Sequence, residues 1–480
     1  MIKSVTFKNF RNLDGKYEFN NTLNVIIGKN NSGKTNLLDG IKLAFSAITN
    51  DYFKISDSDF KDSEDNNVIK ISVELQYNSI SSLNFDDNGQ NKCGFITCIK
   101  KTKSGRYIKT FSLLNGTNID VDIVREDECI PNLYLIPLIR VEDIYTAGLT
   151  TGISTFIDSE ERYKELKDDS KKAIKQELAS KVNRFKELCK KFNENLDIEL
   201  TDPKISDEKV YIVDGNKEHN FHIGSGYKSI ANIMLNTLDE NFNIILIDEI
   251  ENHLHPALIR TLIRELRNVA NTIIISTTHS SVVINELKME EIIDISGTSI
   301  NSLNETYIKK LNTFLHPGRN ELMLADNIIL VEGYTEEVLL KHYLSKNNYN
   351  WTIINVAGVM FEPYIQLASL LNKKVIVVSD NDKLLSDNQE SSSRFSNLKL
   401  ICTEKNVKLI EIENTLETDL YINGFLNNCN DLLEKHKKYP EFYVAKHKKK
   451  VEIAERLIEN DIDLSNWHAI EEIENGFKSN

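Results

Sequence analysis

The feature that most narrows what this chain can fold into is the run GKNNSGKT at residues 28–35. It follows the apolar segment LNVII and precedes TNLLDGIKLAF, which reads as a helix. A strand that passes through such a loop into a helix aims backbone amides at a phosphate, where the helix dipole favours negative charge. Gly28 and Gly33 allow the tight turn, Asn30, Asn31 and Ser32 span it, Lys34 contributes a point charge, and the Thr35 hydroxyl reaches Mg2+. The loop predicts a nucleotide as ligand and an α/β frame around it.

A site of this kind needs an acidic strand end, and IILIDE at 244–249 supplies one. Asp248 is suited to hold the Mg2+ shell and Glu249 to polarise the attacking water. More than 200 residues separate this strand from the loop, which excludes a small GTPase and suits an ATPase of the ABC type parted by a long insertion. GSGYKS at 224–229 stands where ABC-like ATPases carry the signature that caps ATP bound to the opposite subunit, with Ser225 as its candidate contact. Its departure from LSGGQ leaves a plain glycine turn opening a helix as the other reading. ENHLHP at 251–256 and TTHS at 277–280 fall at the places of the D-loop and of the switch histidine, His279, while Gln76 is a candidate for the Q-loop.

Organisation along the chain fits this class. Residues 1 to about 150 read as short strands and turns around one helix, and apolar residues from Phe156 to Phe192 then recur three or four apart among lysines and glutamates. That segment, about 155–198, is expected to be a helical insertion, either packed on its own domain or protruding as an arm. Residues 241–298 alternate strand and helix in the order βαβαβ, which implies parallel strands with helical crossovers. After Pro317 and Gly318 a second such unit opens with NIILVEG and runs to KKVIVVSD. The expected domains are 1–321, 322–425 and a basic, helical C-terminal segment at 426–480.

In the second unit, Glu332 ends one strand and Asp380 and Asp382 end another. Ligands of open parallel sheets gather beyond the carboxyl ends of strands. Three carboxylates there repel one another unless a divalent cation offsets them, and oxygen ligands without His or Cys select Mg2+ or Mn2+. Glu336, one helical turn after Glu332, and Glu417 in TLETDLY are further candidate ligands. Residues 435–450, KHKKYPEFYVAKHKKK, carry seven lysines interleaved with Tyr439, Phe442 and Tyr443. Such a run tracks phosphates as readily as it forms a solvated face.

The formal net charge of −14 argues against a nucleic-acid partner only weakly, because binding depends on a local basic patch. Six scattered cysteines without zinc spacing, no apolar run of 18 residues and a strand-like N-terminus lead to the expectation of a cytoplasmic protein without a membrane span.

The nucleotide motifs, down to the opening FKNFRNL, resemble the SMC-like and RecF-like branch of ABC ATPases, and LVEGYTE with SDND looks like a Toprim domain. The combination resembles the OLD (overcoming lysogenisation defect) family of nucleases across nearly the whole chain. That resemblance implies an α/β fold: an ABC-type ATPase domain with a helical insertion, then a Toprim domain, then a short C-terminal segment. It implies ATP-gated, two-metal DNA cleavage at Glu332, Asp380 and Asp382, with a C-terminal lysine, Lys450 or its neighbour Lys449. It also implies a homodimer or higher oligomer and a role in anti-phage defence. A second defence-system protein or a nucleic-acid component stays open as a partner. The alternative is a nucleotide-operated clamp or scaffold that grips DNA without cutting it. Primase and topoisomerase readings lack, respectively, a zinc module and an identifiable nucleophilic tyrosine.

Overall fold

The computed structural model describes residues 2–49, 53–61, 68–125 without 78 and 103, 138–139, 183–193, 196–200, 210–214, 224–238, 244–297 without 270–271, and 303–478 without 315–317, 348, 358–360, 386–390 and 447–448. The chain divides into two compact units, Met1–Ser299 and Ile300–Asn480.

The first unit joins an antiparallel and a parallel sheet through one helix. β1 (Ile2–Phe10), β2 (Leu13–Glu18), β4 (Val68–Leu75), β5 (Asn84–Asp87), β6 (Gln90–Lys101) and β7 (Tyr107–Leu113) form the antiparallel sheet, ordered β2-β1-β4-β6 with β5 and β7 both paired to β6. β3 (Leu23–Ile27), β8 (Leu138–Ile139), β11 (Ile244–Ile247), β12 (Ile273–Thr277) and β13 (Ile292–Asp294) form the parallel sheet, ordered β13-β3-β12-β11-β8. All residues of β3, β11 and β12 are buried, which is why these strands read as unbroken apolar runs rather than as alternation. A separate hairpin pairs β9 (Leu196–Leu200) with β10 (Val210–Asp214).

The helix α1 (Lys34–Phe45) packs against strands of both sheets. Gly40 is what permits the close approach: a Cβ there would lie 2.3 Å from Cε1 of Phe7 and 3.0 Å from that of Phe10. These two rings stack on each other, and Phe7 meets Tyr17 edge-on. The remaining described helices of this unit include α2 (Val121–Arg125), α3 (Ser225–Leu238), α4 (Pro256–Arg267) and α5 (Ser281–Glu286). α4 and α5 are the crossovers expected between the parallel strands.

Most of the expected helical insertion at 155–198 lies outside the described residues. Residues 183–190 are helical, but the end of the range is strand, since Leu196 already pairs in the hairpin with Asp214.

The second unit is built on four parallel strands, β14 (Asn327–Val331), β15 (Thr352–Asn355), β16 (Lys374–Asp380) and β17 (Lys408–Ile412), ordered β15-β14-β16-β17. Its helices are α6 (Glu305–Phe314), α7 (Gly318–Leu324), α8 (Tyr334–Lys346), α9 (Phe361–Leu370), α10 (Ser393–Glu404), α11 (Leu416–Ile422), α12 (Lys450–Glu459) and α13 (His468–Lys478). The strand order reverses between β14 and β16, so the crevice at a topological switch point falls between Glu332 and Asp380.

The C-terminal segment is not uniformly helical. Its lysine-rich stretch forms a hairpin of β18 (Leu433–Lys435) and β19 (Tyr443–Ala445), with helix resuming only at Lys450. Pro440 is excluded from a helix interior, and Tyr443 and Val444 favour extended backbone. The hairpin is tied to α11 by the Thr418 hydroxyl, which donates to the Tyr443 carbonyl at 2.8 Å. Trp467, 1% exposed, donates from Nε1 to Asp419 Oδ2 at 2.6 Å and anchors the approach to α13. Among the described residues no helix is long and apolar enough to cross a membrane.

Replacing Gly40 by alanine is expected to destabilise the first unit by about 1–3 kcal/mol through overpacking, despite alanine's better helix propensity. Thermal unfolding should show a melting temperature several degrees lower; an unchanged or higher value would contradict the close approach.

Candidate functional site

In the first unit the parallel register brings three loops to one sheet edge. β12 lies between β3 and β11, with Thr277 opposite Ile26 and Ser276 opposite Ile247. The phosphate loop, Asp248 and His279 therefore leave adjacent strands. The Thr35 hydroxyl donates to Asp248 Oδ1 at 3.2 Å, and the Thr277 hydroxyl donates to the same oxygen at 2.6 Å. Thr277 also accepts the Glu249 N–H at 2.8 Å, so one hydroxyl orients both members of the acidic pair.

The phosphate loop is braced from outside. Gly33 has φ +104, a left-handed conformation that costs an L side chain strain, and a Cβ there would run into the Asn12 side chain. Asn12 donates to the Ser32 carbonyl at 2.8 Å and accepts from Asn36 Nδ2 at 2.8 Å. Ser32 Oγ is buried without a hydrogen-bond partner, and Lys34 Nζ donates to the carbonyls of Gly28 and Lys29 at 2.9 and 2.7 Å. The Lys34 ammonium is thus folded against its own loop, a position from which side-chain rotation carries it to a phosphate. Burial lowers its pKa, with Glu249, Asp248 and Glu251 opposing. An unsatisfied hydroxyl and a shielded cation fit a nucleotide phosphate chain.

Two residues not singled out from sequence order the catalytic edge. Glu251 accepts from the Thr278 hydroxyl and from the His279 N–H, both at 2.7 Å. Asn252 donates to Glu249 Oε2 at 2.8 Å. Burial, with Lys34 nearby, holds the His279 imidazole below its ordinary pKa and so neutral at physiological pH. Ser225 opens α3, and Gly226 beside it leaves room for the His253 carbonyl, which would stand 2.6 Å from a Cβ. Gln76 is exposed just beyond β4.

In the second unit Glu332, Glu336, Asp380, Asp382 and Glu417 gather at the carboxyl edge of the sheet. Asp380 is 7% exposed and Glu417 1%. Burial, then the charges of Glu336, Glu332 and Glu417, raise the Asp380 pKa well above the usual carboxylate range. Glu336 is raised by burial and by Glu417 and Glu332, and Asp382 by burial against the opposing pull of Arg394.

Asn381, fully buried, pins the turn that separates the two aspartates. It donates to Glu411 Oε1 at 2.8 Å and accepts from the N–H groups of Asn414 and Lys383 at 2.8 and 3.2 Å. Asp382 follows with φ +55.

Lysine and arginine approach this cluster from different elements. Lys450 Nζ lies 3.3 Å from Glu417 Oε1, without the alignment of a hydrogen bond. Burial works against its charge, but Glu417, Asp380 and Glu336 outweigh that and raise its pKa. Lys449 instead pairs with Glu452 of its own helix. Arg394, absent from the sequence-based set, forks onto Glu332 and reaches Asp382.

Among the described residues no three His, Cys, Asp or Glu side chains have their ligating atoms already gathered around one cation position. The donor set nonetheless fits a hard divalent ion: Asp380 Oδ1 and Glu417 Oε1 are buried and lack hydrogen-bond partners, and every candidate ligand is oxygen.

Residues 1–125 and 140–284 match the model of the AAA ATPase domain. Residues 323–382 match the model of the overcoming lysogenization defect protein-like TOPRIM domain. The chain is similar to Endonuclease GajA of Bacillus cereus (strain HuB5-5), 23% identical over an alignment of 527 residues spanning 82% of this chain and 75% of the relative. It is also similar to the DNA replication and repair protein RecF of Streptococcus gordonii (strain Challis), 25% identical over 151 residues that span 31% of this chain and 41% of that protein. Among solved structures, an SmcHead bound to the C-winged helix domain of ScpA aligns with a TM-score of 0.46 at 14% identity, covering 61% of this chain and 94% of that one.

Asp380→Asn, which removes one negative charge from the crowded edge, is expected to raise the melting temperature of the protein in EDTA at neutral pH. The same substitution should abolish any further shift on adding Mn2+. Differential scanning calorimetry showing no gain in EDTA would mean that Asp380 is not under like-charge strain.

Proposed function

We infer that this chain, which belongs to the AAA ATPase domain family and carries an OLD-like Toprim domain behind it, is an ATP-gated, divalent-metal-dependent DNA endonuclease. The observation that carries this reading is the pair of buried oxygens on Asp380 and Glu417 without a hydrogen-bond partner, the second of them ion-paired to the Lys450 ammonium. An anionic edge with a cation at its rim suits a phosphodiester better than a neutral substrate. The similarity to a relative named as an endonuclease supports DNA as substrate.

Glu332, Glu336, Asp380, Asp382 and Glu417 would hold Mg2+ or Mn2+, which when bound supplies Lewis acidity and a hydroxide at neutral pH. Asn381 keeps Asp380 and Asp382 in fixed relation. Lys450, held cationic by its acidic neighbours, offsets charge that builds on the phosphate during displacement.

In the first unit Lys34 and the amides of residues 28–35 would bind the triphosphate, while Thr35 and Asp248 would hold its Mg2+. Glu249 orients the attacking water and His279 senses the γ-phosphate. Ser225 would cap ATP held by a second copy, making ATP binding a dimer-dependent switch. Cytoplasmic defence against phage, with or without a second component, is the setting that agrees with this chemistry.

Incubating the full-length protein with supercoiled plasmid and Mn2+ should yield nicked product, and Asp380→Ala or Lys450→Ala should slow nicking by about a hundredfold or more. Wild type that never cuts, yet binds DNA, would return the clamp reading. Glu249→Gln is expected to bind ATP but hydrolyse it about a hundredfold more slowly in a phosphate-release assay; turnover near wild type would remove Glu249 from its role.

A further inference from the structure

Two of the five acids at the Toprim edge are already engaged by one side chain. Arg394 donates from Nη1 to Glu332 Oε1 at 2.7 Å and from Nη2 to Glu332 Oε2 at 2.6 Å, a bidentate fork. The same Nη2 reaches Asp382 Oδ2 at 3.2 Å. One guanidinium thus links the end of β14 to the turn after β16, across the crevice where the strand order reverses. Glu332 and Asp382 side chains are 20% and 17% exposed, so water screens these pairs only in part. Asp380 Oδ1 and Glu417 Oε1, in contrast, have no hydrogen-bond partner. The cluster is therefore divided into acids that arginine neutralises and acids left to another cation.

The backbone under Arg394 is fixed by a helix cap, while its side chain, held by hydrogen bonds, is partly exposed to water. Ser392 caps α10, its hydroxyl accepting from the Phe395 N–H at 3.2 Å, and Phe395 is 2% exposed in the core. The Arg394 side chain itself is 34% exposed. A side chain so exposed can exchange its hydrogen bonds to the carboxylates for bonds to water by turning about its own bonds.

We propose that Arg394 is a displaceable counter-cation that competes with the divalent ion for Glu332 and Asp382 and so sets the metal concentration at which the Toprim edge loads. The proposal rests on the reading of that edge as a metal centre. A guanidinium and a divalent cation repel when both face one carboxylate, so an ion that takes these oxygens must do so at the expense of the fork. Once released, the guanidinium stays beside the edge as a fork matched to a phosphate. A residue serving only as a strut has the opposite signature: without it Glu332 and Asp382 would splay and metal would bind more weakly.

Mn2+ binding to the full-length protein, without nucleotide and followed by electron paramagnetic resonance of the free ion, separates these cases. Arg394→Gln is expected to bind Mn2+ about tenfold more tightly than wild type, the order of effect of removing one adjacent charge. Arg394→Lys, which keeps the charge but loses the fork, should fall between them and carries the test if the glutamine variant fails to fold. Equal or weaker binding in the folded variants overturns the competition. Asp380→Asn, alone and combined with Arg394→Gln, reports on the underlying reading. If neither chain has a Mn2+ site that depends on Asp380, both the metal centre and the competition fall; if the site exists but ignores Arg394, only the competition does.

Discussion

Like-charge crowding at the edge of the second sheet governs how that unit is built. Asp380, Glu336, Glu332 and Glu417 lie near enough for each of the last two to raise the pKa of the first two. A buried carboxylate group of this size is tolerated only with positive charge close by, and the fold brings it from both flanks: Arg394 on α10 and Lys450 at the start of α12. Arg394 stands 62 residues from Glu332 but only 12 from Asp382. Lys450, on a helix that follows the last strand of the sheet at residue 412, thus completes electrostatics that the strands alone leave open.

The two units meet the same physical requirement with different chemistry. Each places charged groups beyond the carboxyl ends of parallel strands, where neighbouring loops converge and backbone groups are free of the ladder. In the first, hydroxyls align the acidic pair: Thr35 and Thr277 both donate to Asp248. In the second, a buried amide fixes the spacing, with Asn381 holding the turn between two aspartates. Hydroxyl and amide braces restrict rotamers without adding net charge, which keeps the acids available to cations.

Local signals were readable where chemistry and backbone geometry coincide in a few consecutive residues. The phosphate loop, the Asp248–Glu249 strand end and the Glu332 and Asp380 strand ends fall into that group, as do the fully buried strands between them. Long-range pairing was not readable. Nothing in SSSRFSNLK distinguishes Arg394 from a surface arginine; its role comes from the fold bringing its side chain to Glu332 and Asp382, just past the ends of β14 and β16. Asn12 and Glu251 lie within FKNFRNL and ENHLHP, but neither motif announces the contacts through which they act. Strands β2 and β7 give a weak local signal, because LDGKYE and YIKTFSL do not alternate cleanly between apolar and polar. The lysine-rich tract was expected to be helical because charge density resembles that of a solvated helix face, whereas Pro440 and the aromatic residues around it favour a hairpin.

Trp467 and its bond to buried Asp419 give the end of this chain unusual weight. Asp419 sits two residues from Glu417 on the same short helix, so the indole steadies the very element that presents an acid to the crowded sheet edge. Ile470 and Ile473, both wholly buried, continue that packing into the terminal helix. Loss of α13 would thus strip an inner wall from the domain rather than trim a tail.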